Sequence, residues 1–181
     1  HSLPLYHCAQ LDNFLATDIY LGATSIILPR PEPELVLRSI ARHGATNYFA
    51  PPTVWISLLR SPVFDDVDLS SLRKGYYGAS PMPKEILAEM RRRLPNLRLW
   101  NFYGQTEMAP LATLLRPEEQ VRKAGSAGRP ALNVETRVVE EKETKKGKFT
   151  EIARNYYAIS KRTSNAYYFG EQVNEYSNGK I

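Results

Sequence analysis

The stretch Trp100-Asn101-Phe102-Tyr103-Gly104-Gln105-Thr106-Glu107-Met108 decides how this chain is read. An apolar and aromatic run stops at a glycine. An amide, a hydroxyl and a carboxylate follow at once. A strand that ends this way presents polar groups at its carboxyl end, where open α/β sheets bind their ligands.

Upstream of this stretch, helix and strand patterns take turns. Ala9, Leu11, Phe14, Leu15 and Ile19 recur at helical spacing, and Gly22 is placed to end that helix. Thr24 to Leu28 reads as a short buried strand. Pro33 suits the first turn of the next helix, with Val36, Leu37, Ile40 and Ala41 on its apolar face and Gly44 at its end. Thr46 to Ala50 is a second strand running into Pro51-Pro52, and a short helix spans Val54 to Leu59. Leu72 to Tyr77 is a third strand, stopped by Gly78. Pro83 opens a helix with Ile86, Leu87, Met90 and Leu94 on one face, and Arg98 to Phe102 is the fourth strand. Alternation of this kind predicts an α/β fold, with parallel strands joined by right-handed crossovers.

Three special segments each follow a strand: Pro51-Pro52-Thr53, Gly78-Ala79-Ser80-Pro81 and Tyr103-Gly104-Gln105-Thr106-Glu107. In a parallel sheet all three lie along one carboxyl edge, so one crevice draws on all of them. Gly78 and Ala79 carry little side chain, which lets a flat ring approach the backbone. Ser80 adds a hydroxyl, and the helix opening near Pro83 presents free N–H groups. Tyr103 offers a stacking face, Thr106 a hydroxyl for a phosphate oxygen, and Glu107 a hard oxygen ligand for Mg²⁺. Singly, these are a turn, a core tyrosine and a helix-start carboxylate. Together they describe an ATP site. His7 precedes the first helix and by itself reads as a cap. Cys8 beside it has no supporting acid for nucleophilic chemistry, and no metal-ligand spacing involves His1 or His43.

Composition bounds the remaining choices. The 181 residues suit one domain, or one domain plus an appendage, and 43% hydrophobic with 24% charged residues is ordinary for a globular protein. No apolar run is long enough for a transmembrane helix, and no signal-peptide pattern opens the chain. The single cysteine fits a reducing compartment, so a cytoplasmic location is expected. A net charge of +5 raises the question of nucleic acid, but the one tight basic cluster, Arg91-Arg92-Arg93, lies on the polar side of a predicted helix. A solvated helix face explains it, and no nucleic-acid partner is expected.

A compositional seam falls near residue 139. All 13 prolines and every leucine precede it. Residues 1–139 carry 13 Arg and 3 Lys, whereas residues 140–181 carry 2 Arg and 6 Lys. Residues 1–139 are therefore expected to form one domain, and residues 140–181 a linker with a β-rich, foreign-looking tail. Glu140 to Lys148 is the linker-like charged run. Phe149 to Ile159, Ala166 to Val173 and a piece ending at Ile181 look strand-like, with an Asn178-Gly179 turn, and predict a small antiparallel meander.

Five ordered segments resemble the adenylate-forming ligases, and the acyl-CoA synthetases in particular. They are Leu3-Pro4-Leu5-Tyr6-His7, Ala50-Pro51-Pro52-Thr53, Tyr77-Gly78-Ala79-Ser80-Pro81-Met82, Tyr103-Gly104-Gln105-Thr106-Glu107 and Gly125-Ser126-Ala127-Gly128-Arg129-Pro130. The resemblance covers residues 1–139 and implies part of the large domain of such an enzyme. It implies that Gly78, Ala79 and Ser80 line the adenine pocket, with Tyr103 stacked on the base. Thr106 would contact the α-phosphate, Glu107 would coordinate Mg²⁺, and His7 would border the acyl and thiol entry. Gly104 and Gln105 would line the acyl pocket, with Asn47 and Thr53 as lesser candidates; Gly128 and Pro130 would be structural. The implied reaction joins a carboxylic acid, expected to be a fatty acid, to CoA through acyl-AMP, using ATP and Mg²⁺. The family's phosphate loop, ribose aspartate and catalytic lysine have no counterpart here, so the chain is expected to be an inactive piece that exposes surface and self-associates. A nucleotide-binding module without turnover, and an interaction protein acting through the β tail, are the rival readings.

Overall fold

The computed structural model describes residues 1–108, 110–132, 134–145, 148–160 and 166–175. The chain divides into two units, His1–Arg129 and Pro130–Ile181.

The first unit opens with α1 (Cys8–Gln10), a π-helical stretch Leu11–Leu15, and α2 (Ala16–Tyr20). Then come α3 (Pro33–His43), β1 (Asn47–Phe49), α4 (Pro52–Leu59), β2 (Lys74–Gly78), α5 (Lys84–Arg93) and β3 (Arg98–Gly104). Strands β4 (Leu111–Leu115) and β5 (Arg129–Pro130) complete a five-stranded sheet in the order β1-β2-β3-β4-β5. Strands β1, β2 and β3 are parallel, in register Phe49↔Tyr76↔Trp100. Strand β4 turns back antiparallel to β3, a reversal that no upstream alternation predicts.

The two faces of the sheet are covered differently. One carries Tyr48, Tyr77 and Leu99 into a core shared with Val36, Leu37 and Ile40 of α3, Trp55 and Leu58 of α4, and Leu87 and Met90 of α5. Burying such side chains stabilises by roughly 1.5–3 kcal/mol each, so this face holds the unit together. The predicted apolar faces of α3 and α5 are therefore confirmed. On the other face Phe14 stacks on Phe49 at 4.6 Å and on Phe102 at 5.9 Å, and Tyr76 stacks on Trp100 at 5.4 Å. Arg93 donates to Leu59 O and Asp65 and lies over the Phe64 ring, so one member of the basic cluster is a structural clamp.

One expectation fails in the N-terminal segment. Thr24 to Leu28 is not a strand: among the described residues its ladder-like bonds are His1 N to Ile26 O and Leu28 N to His1 O. Residues there are exposed or half-buried, and Ile27 is 56% exposed. The apolar periodicity of residues 9–19 does form a helix, but it buries only Leu15 fully; Ile19 is 68% exposed.

The second unit is an antiparallel meander of β6 (Val134–Lys145), β7 (Lys148–Ser160) and β8 (Ala166–Glu175). The charged run is therefore strand rather than linker through Lys145. Glu140 pairs across with Arg154 and bonds it at 3.4 Å, so cross-strand charge pairing offsets the low β-propensity of the run. The Asn178-Gly179 turn and the piece ending at Ile181 lie outside the described residues.

Candidate nucleotide and acyl site

Parallel pairing of β1, β2 and β3 places the segments that follow them on one sheet edge. After β1, Ala50 is fully buried, and its N–H donates to Tyr76 O at 3.1 Å. Trp55 Nε1 donates to the same carbonyl at 3.0 Å. This fixes the Pro51-Pro52 turn; Thr53 beyond it is exposed.

After β2 the chain makes an exposed loop at Ala79, Ser80 and Pro81, held between buried Gly78 and buried Met82. Ala79 has φ of +69°, the one positive value outside glycine among the described residues. Left-handed backbone at a residue with a Cβ costs about 1–2 kcal/mol, and such strain gathers at ligand-contacting turns. Gly78 has a different reason to be small. A Cβ there would meet Phe102 O at 2.6 Å, so the neighbouring strand already requires glycine.

After β3, Gln105 N donates to Pro110 O at 2.9 Å, and Thr106–Met108 forms a 3₁₀ turn. Gly104 is enforced by packing, because a Cβ would overlap Pro110 O. Thr106 and Glu107 are exposed on the turn, and Tyr103 is half-buried, with burial pushing its phenol pKa up.

The N-terminal segment closes on this edge. His7 caps α1, its Nδ1 accepting from Ala9 N at 3.1 Å. Cys8 Sγ lies 3.2 Å from Thr106 Oγ1 and 3.9 Å from His7 Nδ1. His7, Cys8 and Thr106 thus meet, although 98 residues separate the last two. A cavity of about 510 Å³ runs along the aromatic face; Phe14, Tyr76 and Phe102 line it with Asn13 and Thr17, and His7, Cys8 and Thr106 are not among its lining residues. Asn47 lines the cavity from the opening residue of β1, at the opposite end of that strand from the site edge. Sequence reasoning missed Phe14 and Cys8 as members of the site, and no local signal marks either.

The residues fit a Mg²⁺ ion of one kind only. No group of three His, Cys, Asp or Glu side chains gathers among the described residues. Glu107 is a single exposed carboxylate beside a hydroxyl. Mg²⁺ that keeps its waters and bridges phosphates needs only one or two carboxylates, so this donor set suits a nucleotide-borne ion.

A parallel sheet with hydroxyl, carboxylate and strained small-residue loops on its carboxyl edge defines a ligand-binding α/β domain. The chain belongs to the AMP-binding enzyme family, whose sequence model matches residues 1–152. It is 35% identical over 140 residues to 4-coumarate–CoA ligase 3 of Arabidopsis thaliana, covering 76% of this chain and 25% of that enzyme. Indoleacetate–CoA ligase of Aromatoleum aromaticum is 32% identical over 138 residues, covering 76% of this chain and 27% of that enzyme. Among solved structures, o-succinylbenzoate-CoA synthetase of Bacillus subtilis in complex with ATP and magnesium superposes with a TM-score of 0.73 at 27% identity, covering 94% of this chain and 34% of that one. The chain spans about a quarter of the length of the curated relatives it matches. The family match runs past residue 139, into β7.

Proposed function

We propose that this chain supplies the carboxyl-edge part of the ATP and acyl site of a carboxylate–CoA ligase. The observation that carries the reading is three strand-end segments on one sheet edge, the third of them in contact with Cys8 through Thr106. Ala79 and Ser80, beside Gly78, face the adenine, and Tyr103 stacks on it. Thr106 donates to an α-phosphate oxygen, and Glu107 holds Mg²⁺, which supplies charge neutralisation on the phosphates. Gly104 and Gln105 form the near wall of the acyl pocket, and His7 borders the thiol entry.

In the whole enzyme a carboxylate oxygen attacks the α-phosphorus, and pyrophosphate leaves. The CoA sulfur then attacks the acyl carbon, and AMP leaves. The protein's part is positioning and charge stabilisation. An aromatic acid is preferred to a fatty acid, because the relatives named above are ligases for 4-coumarate and indoleacetate. The free thiol of Cys8 fits a reducing compartment such as the cytoplasm. Self-association through exposed Tyr6, Ile19, Tyr20 and Leu21 belongs to the same reading.

Calorimetric titration with ATP and Mg²⁺ tests the proposal. The chain binds, and Ala79→Leu weakens binding by about tenfold, ~1.4 kcal/mol, while circular dichroism is unchanged. Equal affinity in a folded Ala79→Leu variant would remove the adenine from this loop.

A further inference from the structure

We infer that Cys8 is a positioning residue for Thr106, holding its hydroxyl so that its proton points at a phosphate oxygen. The inference rests on the nucleotide reading above and adds a residue to it. Thr106 Oγ1 has one proton to donate and two lone pairs to accept with. Cys8 Sγ is 3.2 Å away, short for a bond involving sulfur. The other neighbour of the thiol, His7 Nδ1, is 3.9 Å away and already accepts from Ala9 N at 3.1 Å. Its lone pair is engaged; either atom of the Cys8–Thr106 pair can donate, and in the proposed arrangement the thiol proton goes to Thr106. A thiol donating into one lone pair of Oγ1 selects the side-chain rotamer and leaves the hydroxyl proton free for the ligand.

The placement also explains why a contact should be needed there. Thr106 sits at the start of a single exposed 3₁₀ turn, with little packing to set its rotamer. Cys8 sits in the first turn of α1, immediately after the capping His7, and is half-buried. The half-buried thiol thus meets the hydroxyl of the exposed turn. Chemical modification of Cys8 would push an adduct into the place where the Thr106 hydroxyl must meet phosphate.

The test uses the 181-residue chain, its single cysteine, and two probes that differ only in the phosphate: AMP and adenosine. Cys8→Ala is expected to weaken AMP binding by about 3- to 10-fold, the range implied by the net worth of one hydrogen bond. Adenosine affinity stays unchanged, and Cys8→Ser restores AMP binding to within about twofold. In the wild-type chain AMP slows the reaction of Cys8 with an aromatic disulfide reagent, and adenosine does not. The thiolate sulfur forms the mixed disulfide there and expels the reagent's aryl thiolate, so absorbance reads one site. Unchanged AMP affinity in Cys8→Ala, or equal losses for AMP and adenosine, overturns the positioning role and leaves the nucleotide reading standing. Failure of the wild-type chain to bind either probe overturns the nucleotide reading and the positioning role with it. Where Cys8→Ala does not fold, the labelling experiment decides: a rate indifferent to AMP, in a chain that binds AMP, overturns the role.

Discussion

Glu119 illustrates how a single buried carboxylate ties together the segment that follows β4 in the unit that carries the site. Its side chain is 7% exposed and accepts from Lys123 Nζ at 2.9 Å and from Arg129 at 2.7 Å. The hydrogen bond from Lys123, then that from Arg129, holds its carboxyl pKa down at about 2. An unfolded glutamate titrates near about 4.3. The folded value is the lower one, so the stability this group contributes is present above about 4.3 and is lost as pH falls towards about 2. Urea midpoints measured from pH 6 downwards should therefore drop through that window, and Glu119→Gln should flatten the drop. Parallel curves for the two proteins would show that the ion pairs do not couple to folding. Tyr77 adds a second tie in the same region, its hydroxyl donating to Gln120 Oε1 at 2.7 Å.

At the scale of the element, the turn from β3 into β4 decides whether the site exists. The β3–β4 register shifts between Tyr103 and Gly104, and the Gly104 backbone lies against Pro110 O so closely that no Cβ fits. Gly104→Ala must displace that carbonyl or widen the bulge, and overpacking of this kind costs about 1–3 kcal/mol. The same displacement moves Thr106 two residues on. We expect Gly104→Ala to lower the urea midpoint and to weaken ATP binding together. A variant as stable as the wild type would mean that the turn relaxes freely and that Gly104 is not a packing glycine. The strand itself was legible in its apolar run and terminal glycine. The reversal into β4 was not read, although the connection from Gly104 to Leu111 is too short for a parallel crossover.

On the scale of the molecule, the described chain holds one sheet-based unit and one meander, and it matches about a quarter of its curated relatives. Its edge carries an exposed hydroxyl, Thr106, and an exposed carboxylate, Glu107. The resemblance further implies a phosphate loop, a ribose aspartate and a catalytic lysine, and we propose that these 181 residues lack counterparts of them. Groups of that kind act on charge that develops in the transition state, and loss of one donor costs roughly 10²–10³ in rate. The purified chain, given ATP, Mg²⁺, CoA and a panel of aromatic and fatty acids, should therefore release no AMP and form no acyl-CoA above background. Turnover that disappears in Glu107→Ala would show that the missing groups are dispensable.

What the sequence by itself determined is the part that local chemistry encodes. Apolar spacing, capping prolines and terminal glycines mark α3, β1, β2, α5 and β3, and their alternation sets the common edge of three strand-end segments. These signals act within a few residues, so they survive without knowledge of neighbours. The tertiary structure alone decided the rest. Thr24 to Leu28 has the composition of a strand, yet almost no backbone partner reaches it, and a strand needs one. Gly78 looks like a concession to a ligand, but Phe102 O on the adjacent strand already demands it. Cys8 looks inert beside His7 until the sheet brings Thr106 to 3.2 Å. Each of these depends on which distant groups packing and register bring together, and that information is spread over the whole fold rather than written at the residue itself.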